Sequence, residues 1–82
     1  MSPVQTAVTT VLTEKFEVSP ENIRPEVTLE SLDLDSLALA ELALALQERL
    51  GVPVEEDEAA KHSTVGELVA ALNAKHAQRG AS

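Results

Sequence analysis

Cysteine, tryptophan and tyrosine are absent from this chain of 82 residues, and phenylalanine occurs once, at Phe16. The lack of cysteine excludes disulfides, thiolate metal sites and thiol nucleophiles, so any thiol chemistry requires a thiol supplied from outside. With a single aromatic side chain, the interior must be built from Leu, Val, Ile and Ala. Aliphatic cores of this kind can rearrange at low cost.

Glycine and histidine are also scarce, which limits the catalytic chemistry open to the chain. The three glycines, at positions 51, 66 and 80, are isolated, so there is no glycine-rich phosphate loop. A nucleophilic serine needs a base, and only His62 and His76 are present. Asp33-Leu34-Asp35 begins like a calcium loop, but Ala38 and Leu44 occupy the positions of its glycine and glutamate. We therefore predict no catalytic residue, no metal site and no enzyme.

Acidic charge is concentrated in the middle of the chain. Residues 26–58 contain ten acidic side chains against Arg49 alone, a net charge of −9, whereas the whole chain carries −8. This distribution argues against nucleic acid and favours partners that present a basic face. The alternative is that the acidity only keeps a small protein soluble.

Nothing in the sequence predicts a membrane segment. The longest apolar stretch, residues 37–46, is interrupted by Glu41 and is too short to span a bilayer, and no signal segment opens the chain. We expect a soluble, cytoplasmic monomer that does not insert into membranes.

The pattern of apolar residues predicts an all-α fold, a small four-helix bundle with three main helices, one short helix and a long first loop. The expected elements are a helix over 3–16, a loop over 17–35 anchored by apolar side chains, a helix over 36–50, a short helix over 55–61 and a last helix opened by a capping box at Thr64 and Glu67. We expect a single domain over 1–82, with an ordered core over about 3–75 and a flexible tail over 77–82.

The second helix has two apolar faces. At about 100° per residue, Leu39, Leu42 and Leu46 fall on a stripe that should face the core. Leu37 and Leu44 fall on the opposite side, framed by Glu41 and Glu48, so we expect an exposed docking surface there. The alternative is that the long loop covers these two leucines or that their exposure is simply tolerated.

The tetrapeptide Leu34-Asp35-Ser36-Leu37 lies where the long loop meets the second helix. Together with that leucine-rich helix and the later segment Ser63-Thr64-Val65-Gly66-Glu67, it resembles the acyl carrier protein family of phosphopantetheine-dependent carriers. The likeness extends from Pro3 to about Lys75. The alternative interpretation of these two residues is that Ser36 or Asp35 only caps the second helix.

The resemblance implies a non-catalytic shuttle whose cofactor, 4′-phosphopantetheine, is attached to Ser36, with Asp35 and Leu37 engaging the phosphopantetheinyl transferase. It implies partner contacts at Leu37, Ala40, Glu41, Leu44 and Glu48, and an acyl pocket formed by Leu39, Leu42, Leu46, Val54, His62 and Leu68. The expected partners are the transferase, acyl-loading enzymes, ketosynthases and other fatty acid or polyketide enzymes with basic docking faces.

Two positions depart from the family pattern: Asp33 stands where carriers commonly have glycine, and His62 where they have a buried apolar residue. Two other functions stay open, a peptidyl or aminoacyl carrier of nonribosomal synthesis and a helical adaptor that never receives the arm.

Overall fold

The computed structural model describes the backbone of residues 3–81, and the side chains of these residues except 56, 57 and 78–81. Three α-helices make up the bundle: α1 over Pro3–Phe16, α2 over Ser36–Leu50 and α3 over Val65–Ala81. Three 3₁₀ helices lie in the connections, at Pro20–Asn22, Glu30–Leu32 and Glu56–Ala59. The predicted all-α class is confirmed, with a tighter 3₁₀ helix in the place of the short fourth helix expected over 55–61.

One face of each α-helix forms the core. Side chains from all three helices are fully buried at the centre, namely Val4, Val8, Leu12, Leu42, Leu46, Leu68 and Leu72. These positions recur three or four residues apart within each helix, which is the spacing that places side chains on one face. The helical periodicity of the sequence therefore identified the interior correctly.

The long loop is held against the segment before α3, as its apolar residues predicted. Leu29 and Leu34 are buried. The backbone N–H of Leu29 donates to the Ser63 carbonyl at 2.9 Å, and that of Val65 donates to the Val27 carbonyl at 2.8 Å. A single antiparallel bridge joins Thr28 to Thr64. The loop is thus a fixed part of the fold rather than a loose tether.

Gly66 is needed for this close approach. A Cβ atom added at Gly66 would lie 3.0 Å from the Pro25 carbonyl oxygen and 3.1 Å from the Pro25 Cβ. Its own backbone N–H donates to that carbonyl at 3.0 Å. A side chain here would push the loop away from α3.

The last helix is longer than the sequence suggested. We expected it to end near Lys75, but α3 continues to Ala81. Alanine, glutamine and arginine after Lys75 are good helix formers, and a single glycine near the end does not stop the helix. The flexibility of residues 77–82 stays a prediction, and Ser82 lies outside the described residues.

Candidate functional site

Ser36 is the first residue of α2, and Asp35 is the residue that caps this helix. The Asp35 side chain accepts a hydrogen bond from the Ala38 backbone N–H at 2.8 Å, and its carbonyl accepts the first helical bond, from Leu39, at 2.9 Å. Ser36 is exposed, and within the described residues its hydroxyl makes no hydrogen bond. Because Asp35 performs the capping, the Ser36 hydroxyl is left free at a helix N-terminus.

Two other serines near the site are less available. The Ser31 hydroxyl donates to the Thr28 carbonyl at 2.7 Å. Ser63 is buried where the loop meets the segment before α3. Among these three serines, Ser36 alone offers an exposed hydroxyl without a partner.

The turn before Asp35 fixes where α2 begins. The second 3₁₀ helix, Glu30–Leu32, ends at Asp33, which adopts the left-handed conformation with φ 64° and ψ 30°. Leu34 then inserts into the core. Glycine adopts the left-handed conformation without the steric cost that a Cβ brings, so the carrier family's preference for glycine has a physical reason here. Asp33 fills the same backbone role and adds a negative charge.

The rotation predicted for α2 is confirmed. Leu37 is 69% exposed and Leu44 is 57% exposed, so the long loop does not cover them. Ala40, Glu41 and Glu48 are also exposed on this helix. An apolar patch with an acidic edge therefore runs along α2 from the turn that carries Ser36.

A groove of about 410 Å³ opens directly beside Ser36. Its walls come from α2, from the end of the last 3₁₀ helix and from the residues that follow it, namely Ser36, Leu39, Ala40, Ala43, Ala59, Ala60, Lys61 and His62. We call it the alanine groove, because four of the eight lining residues are alanine. Ser36 is one of the residues that line this groove.

The predicted acyl-pocket residues divide between this groove and the core behind it. Leu39 and His62 line the groove. Leu42, Leu46 and Leu68 are fully buried, and Val54 packs partly buried against the core. His62 is exposed at the rim rather than buried in the place of the family's apolar residue. Four further residues line the groove that the sequence did not predict there, namely Ala43, Ala59, Ala60 and Lys61. No local pattern relates the middle of α2 to residues 59–61.

A larger cavity of about 750 Å³ lies under the long loop and is lined mainly by polar residues. Asp35 and Ala38 form part of its wall, together with Arg24 and Ser31, but Ser36 does not. Ser36 therefore lines the alanine groove, while its chain neighbours Asp35 and Ala38 line the larger cavity.

A polar cluster connects the last 3₁₀ helix to α3. The Lys75 ammonium donates to the Pro53 carbonyl at 2.7 Å and to the Glu58 carboxylate, which also accepts from the Glu55 backbone N–H at 2.8 Å. Burial alone raises the pKa of Glu58, but the hydrogen bonds from Lys75 and Glu55 and the charge of Lys75 outweigh it. The pKa of Glu58 is therefore lowered, and this carboxylate ties the last 3₁₀ helix to α3.

Within the part of the chain that the structure describes, no group of histidine, cysteine, aspartate or glutamate side chains has the arrangement of a metal site. None of the described helices is both long and apolar enough to cross a membrane.

Comparisons with known proteins identify the family. A family model described as "Phosphopantetheine attachment site" matches residues 6–72. The chain is 35% identical over 75 residues to an acyl carrier protein of Thermosynechococcus vestitus, covering 90% of this chain and 93% of that protein. It is 37% identical over 76 residues to the acyl carrier protein MbtL of Mycobacterium bovis, covering 92% and 90%. A further relative, an acyl carrier protein of Wolinella succinogenes, is 36% identical over 60 residues, covering 72% and 79%.

The family comparisons define a carrier domain rather than a catalyst. The chain belongs to the acyl carrier protein family, whose members carry 4′-phosphopantetheine. The residues present fit this group: Ser36 is exposed and unbonded, Asp35 leaves it free by taking the cap, and a groove begins beside it.

Proposed function

We propose that Ser36 is the attachment residue and that the protein carries acyl intermediates for fatty acid or polyketide enzymes of the cytoplasm. The observation that supports this assignment is the exposed, unpartnered Ser36 hydroxyl beside a helix cap made by Asp35. When bound, 4′-phosphopantetheine supplies a terminal thiol for thioesters, which this chain without cysteine lacks.

Attachment requires little from the carrier itself. The Ser36 oxygen forms a bond to the phosphorus that bears the pantetheine portion of coenzyme A. The bond from that phosphorus to the adenosine bisphosphate portion breaks, and the serine proton passes to a base of the transferase. The first backbone N–H groups of α2 and the positive end of the helix dipole favour the negative phosphodiester that results.

The acidic edge of α2 is the proposed partner surface. Leu37 and Leu44 supply its exposed apolar centre, and Glu41 and Glu48 supply negative charge on the same side of the helix. Charge complementarity at the edge of an interface raises the association rate, and apolar side chains at its centre carry most of the affinity. A transferase or biosynthetic enzyme with a basic rim around an apolar depression matches this surface, with Asp35 and Leu37 nearest the attachment point.

Carried cargo has a place to shelter in the alanine groove. Leu39 is an apolar lining residue of the groove, and Leu42, Leu46 and Leu68 are fully buried in the core. A longer acyl chain that displaces these side chains could extend the groove inward, because an interior of aliphatic residues repacks at low cost. Hexanoyl or octanoyl forms should then melt at a higher temperature than the form with an unloaded arm.

Replacement of Ser36 tests the attachment site. The Ser36→Ala variant, incubated with coenzyme A and a broad-specificity transferase, should gain no phosphopantetheine by intact mass, while its helix content stays unchanged because Asp35 keeps the cap. Ser31→Ala is the matched control and should be modified at the wild-type rate. Modification that persists in Ser36→Ala would show that another residue carries the arm.

A further inference from the structure

The alanine groove differs in charge from the rest of the surface around Ser36. Among the side chains that the structure describes, no aspartate or glutamate lines the groove, although residues 26–58 carry a net charge of −9. Its two polar side chains away from Ser36 are Lys61 and His62. The groove beside the attachment serine is therefore apolar along its walls and basic at one rim.

Among the side chains that the structure describes, Lys61 has no ion-pair partner. The ion pairs among the described side chains are Arg24 with Glu26 and Lys75 with Glu58, so Lys61 takes part in neither. Glu58 is engaged by Lys75 and by the Glu55 backbone, so it does not neutralise Lys61.

The backbone beneath these two side chains is fixed. The Lys61 carbonyl accepts from the Glu30 backbone N–H at 3.0 Å, and the neighbouring Ser63 carbonyl accepts from Leu29 at 2.9 Å. Both side chains are exposed above this fixed backbone. Only their rotamers need to adjust for them to meet a ligand in the groove.

We propose that the alanine groove selects acyl groups that end in a carboxylate, and that Lys61 and His62 are the residues that set this specificity. The inference rests on the proposed attachment at Ser36 and adds the chemical class of the cargo. The small alanine side chains leave room for the methylene portion of a dicarboxylic acyl group. At its end, the Lys61 ammonium supplies a positive charge, and the His62 imidazole supplies an N–H donor in either protonation state.

The rest of this surface does not favour such a cargo. A carboxylate that left the groove toward the exposed face of α2 would meet Glu41 and Glu48, and one that turned back toward the loop would meet Asp33 and Asp35. Like charges at close range repel. A methyl-ended chain, in contrast, has nothing to gain from Lys61 and His62 and loses little elsewhere.

The test compares two cargoes of the same shape on the same arm. Succinyl and 4-methylpentanoyl groups have equal numbers of non-hydrogen atoms. The second has two methyl groups in the place of the two carboxylate oxygens. After intact mass confirms one loaded arm, the succinyl form should melt roughly 2–5 °C higher than the 4-methylpentanoyl form, as expected for one partly exposed ion pair in a domain of this size. The His62 ring resonances should shift with succinyl and not with 4-methylpentanoyl.

Variants assign the difference to the two residues. Lys61→Met and His62→Leu should each reduce the melting difference between the cargoes, since only the charged cargo loses a contact. Lys15→Met removes the same charge at an exposed position outside the groove and should leave the difference unchanged. The arm's own phosphodiester is a second anion near Ser36, so the unloaded form is measured as well. If Lys61→Met destabilises the unloaded and succinyl forms equally, Lys61 binds the phosphodiester and the proposal fails.

The two proposals fail in different ways. If mass shows no arm at Ser36, the attachment assignment is wrong and this inference falls with it. If both cargoes load at Ser36 but melt together, or if the variants leave their difference unchanged, the attachment stands and the carboxylate selectivity is wrong.

Discussion

Two leucines of α2, two residues apart, should respond to truncation in opposite ways. Leu46 is 0% exposed and lies in the centre of the core, whereas Leu44 is 57% exposed on the acidic face. Leu46→Ala removes buried methyl groups and leaves a cavity, which costs ~2–5 kcal/mol of unfolding free energy. Leu44→Ala removes mainly exposed atoms and should change stability by less than about 0.5 kcal/mol.

The size of the Leu46 effect makes it easy to measure. Small domains are stable by only ~5–15 kcal/mol in total, so Leu46→Ala removes a large share of what holds this fold. A loss of ~2–5 kcal/mol corresponds to a fall in melting temperature of at least about 8 °C for a domain of this length. Far-UV circular dichroism in urea is the suitable assay, because the chain has no tryptophan or tyrosine to report unfolding by fluorescence.

The rate of arm transfer should respond in the opposite way to the two variants. If Leu44 sits at the centre of the docking surface, Leu44→Ala should lower kcat/KM for arm transfer from coenzyme A by about fivefold or more, since a central interface side chain is worth ~1 kcal/mol or more. Leu46→Ala, assayed well below its melting temperature, should transfer at close to the wild-type rate. If Leu44→Ala unfolds the protein while Leu46→Ala leaves it stable, the orientation of α2 is wrong and the docking surface does not exist.

Three further predictions concern stability. Asp33→Gly should raise the unfolding free energy by ~1 kcal/mol, measured in urea, because glycine adopts the left-handed backbone at this position without a Cβ clash; no gain would mean that Asp33 makes a compensating interaction. The lowered pKa of Glu58 contributes stability that is present above its unfolded pKa and is lost as the pH falls through its folded pKa. Thermal melts from neutral to acidic pH should therefore show a smaller acid-side loss in Lys75→Met than in the wild type, and equal losses would contradict the role of this pair. Added salt should raise the melting temperature by screening the net charge of −9 in residues 26–58, whereas a melting temperature that ignores salt would show that these charges are already well dispersed.

The sequence predicted best what depends on neighbours along the chain. The bounds of α1 and α2 follow from apolar spacing and from local stop signals such as Gly51, which ends α2 with a φ of 70°. The capping box before α3 also forms as expected, with the Thr64 N–H donating to Glu67 at 2.8 Å and the Glu67 N–H donating to Thr64 at 3.1 Å. Each of these features is decided within about one helical turn.

Features that join distant segments were not predictable in this way. The alanine groove exists because the segment around Lys61 is hydrogen-bonded to the long loop, and the loop in turn fixes the start of α2. No periodicity links residue 30 to residue 61, so the sequence related His62 to the acyl pocket only through the family resemblance, and its residue type alone favoured a surface or edge histidine. His62 is exposed and lines the groove, which makes it a candidate contact with cargo.

The position of Ser36 relates the two proposed surfaces. Along α2, the groove side is formed by Leu39 and Ala43, while the docking side is formed by Leu37 and Leu44, and Ser36 precedes both at the start of the helix. Ala40 belongs to both surfaces, so a partner that covers the two exposed leucines borders the groove. Leu39 and Ala59 of the core line the groove and Leu46 does not, so a short cargo that leaves it breaks no contact between Leu46 and its neighbours. Delivery of such a cargo then requires only that the arm swings from one side of α2 to the other, and the bundle itself can stay folded throughout.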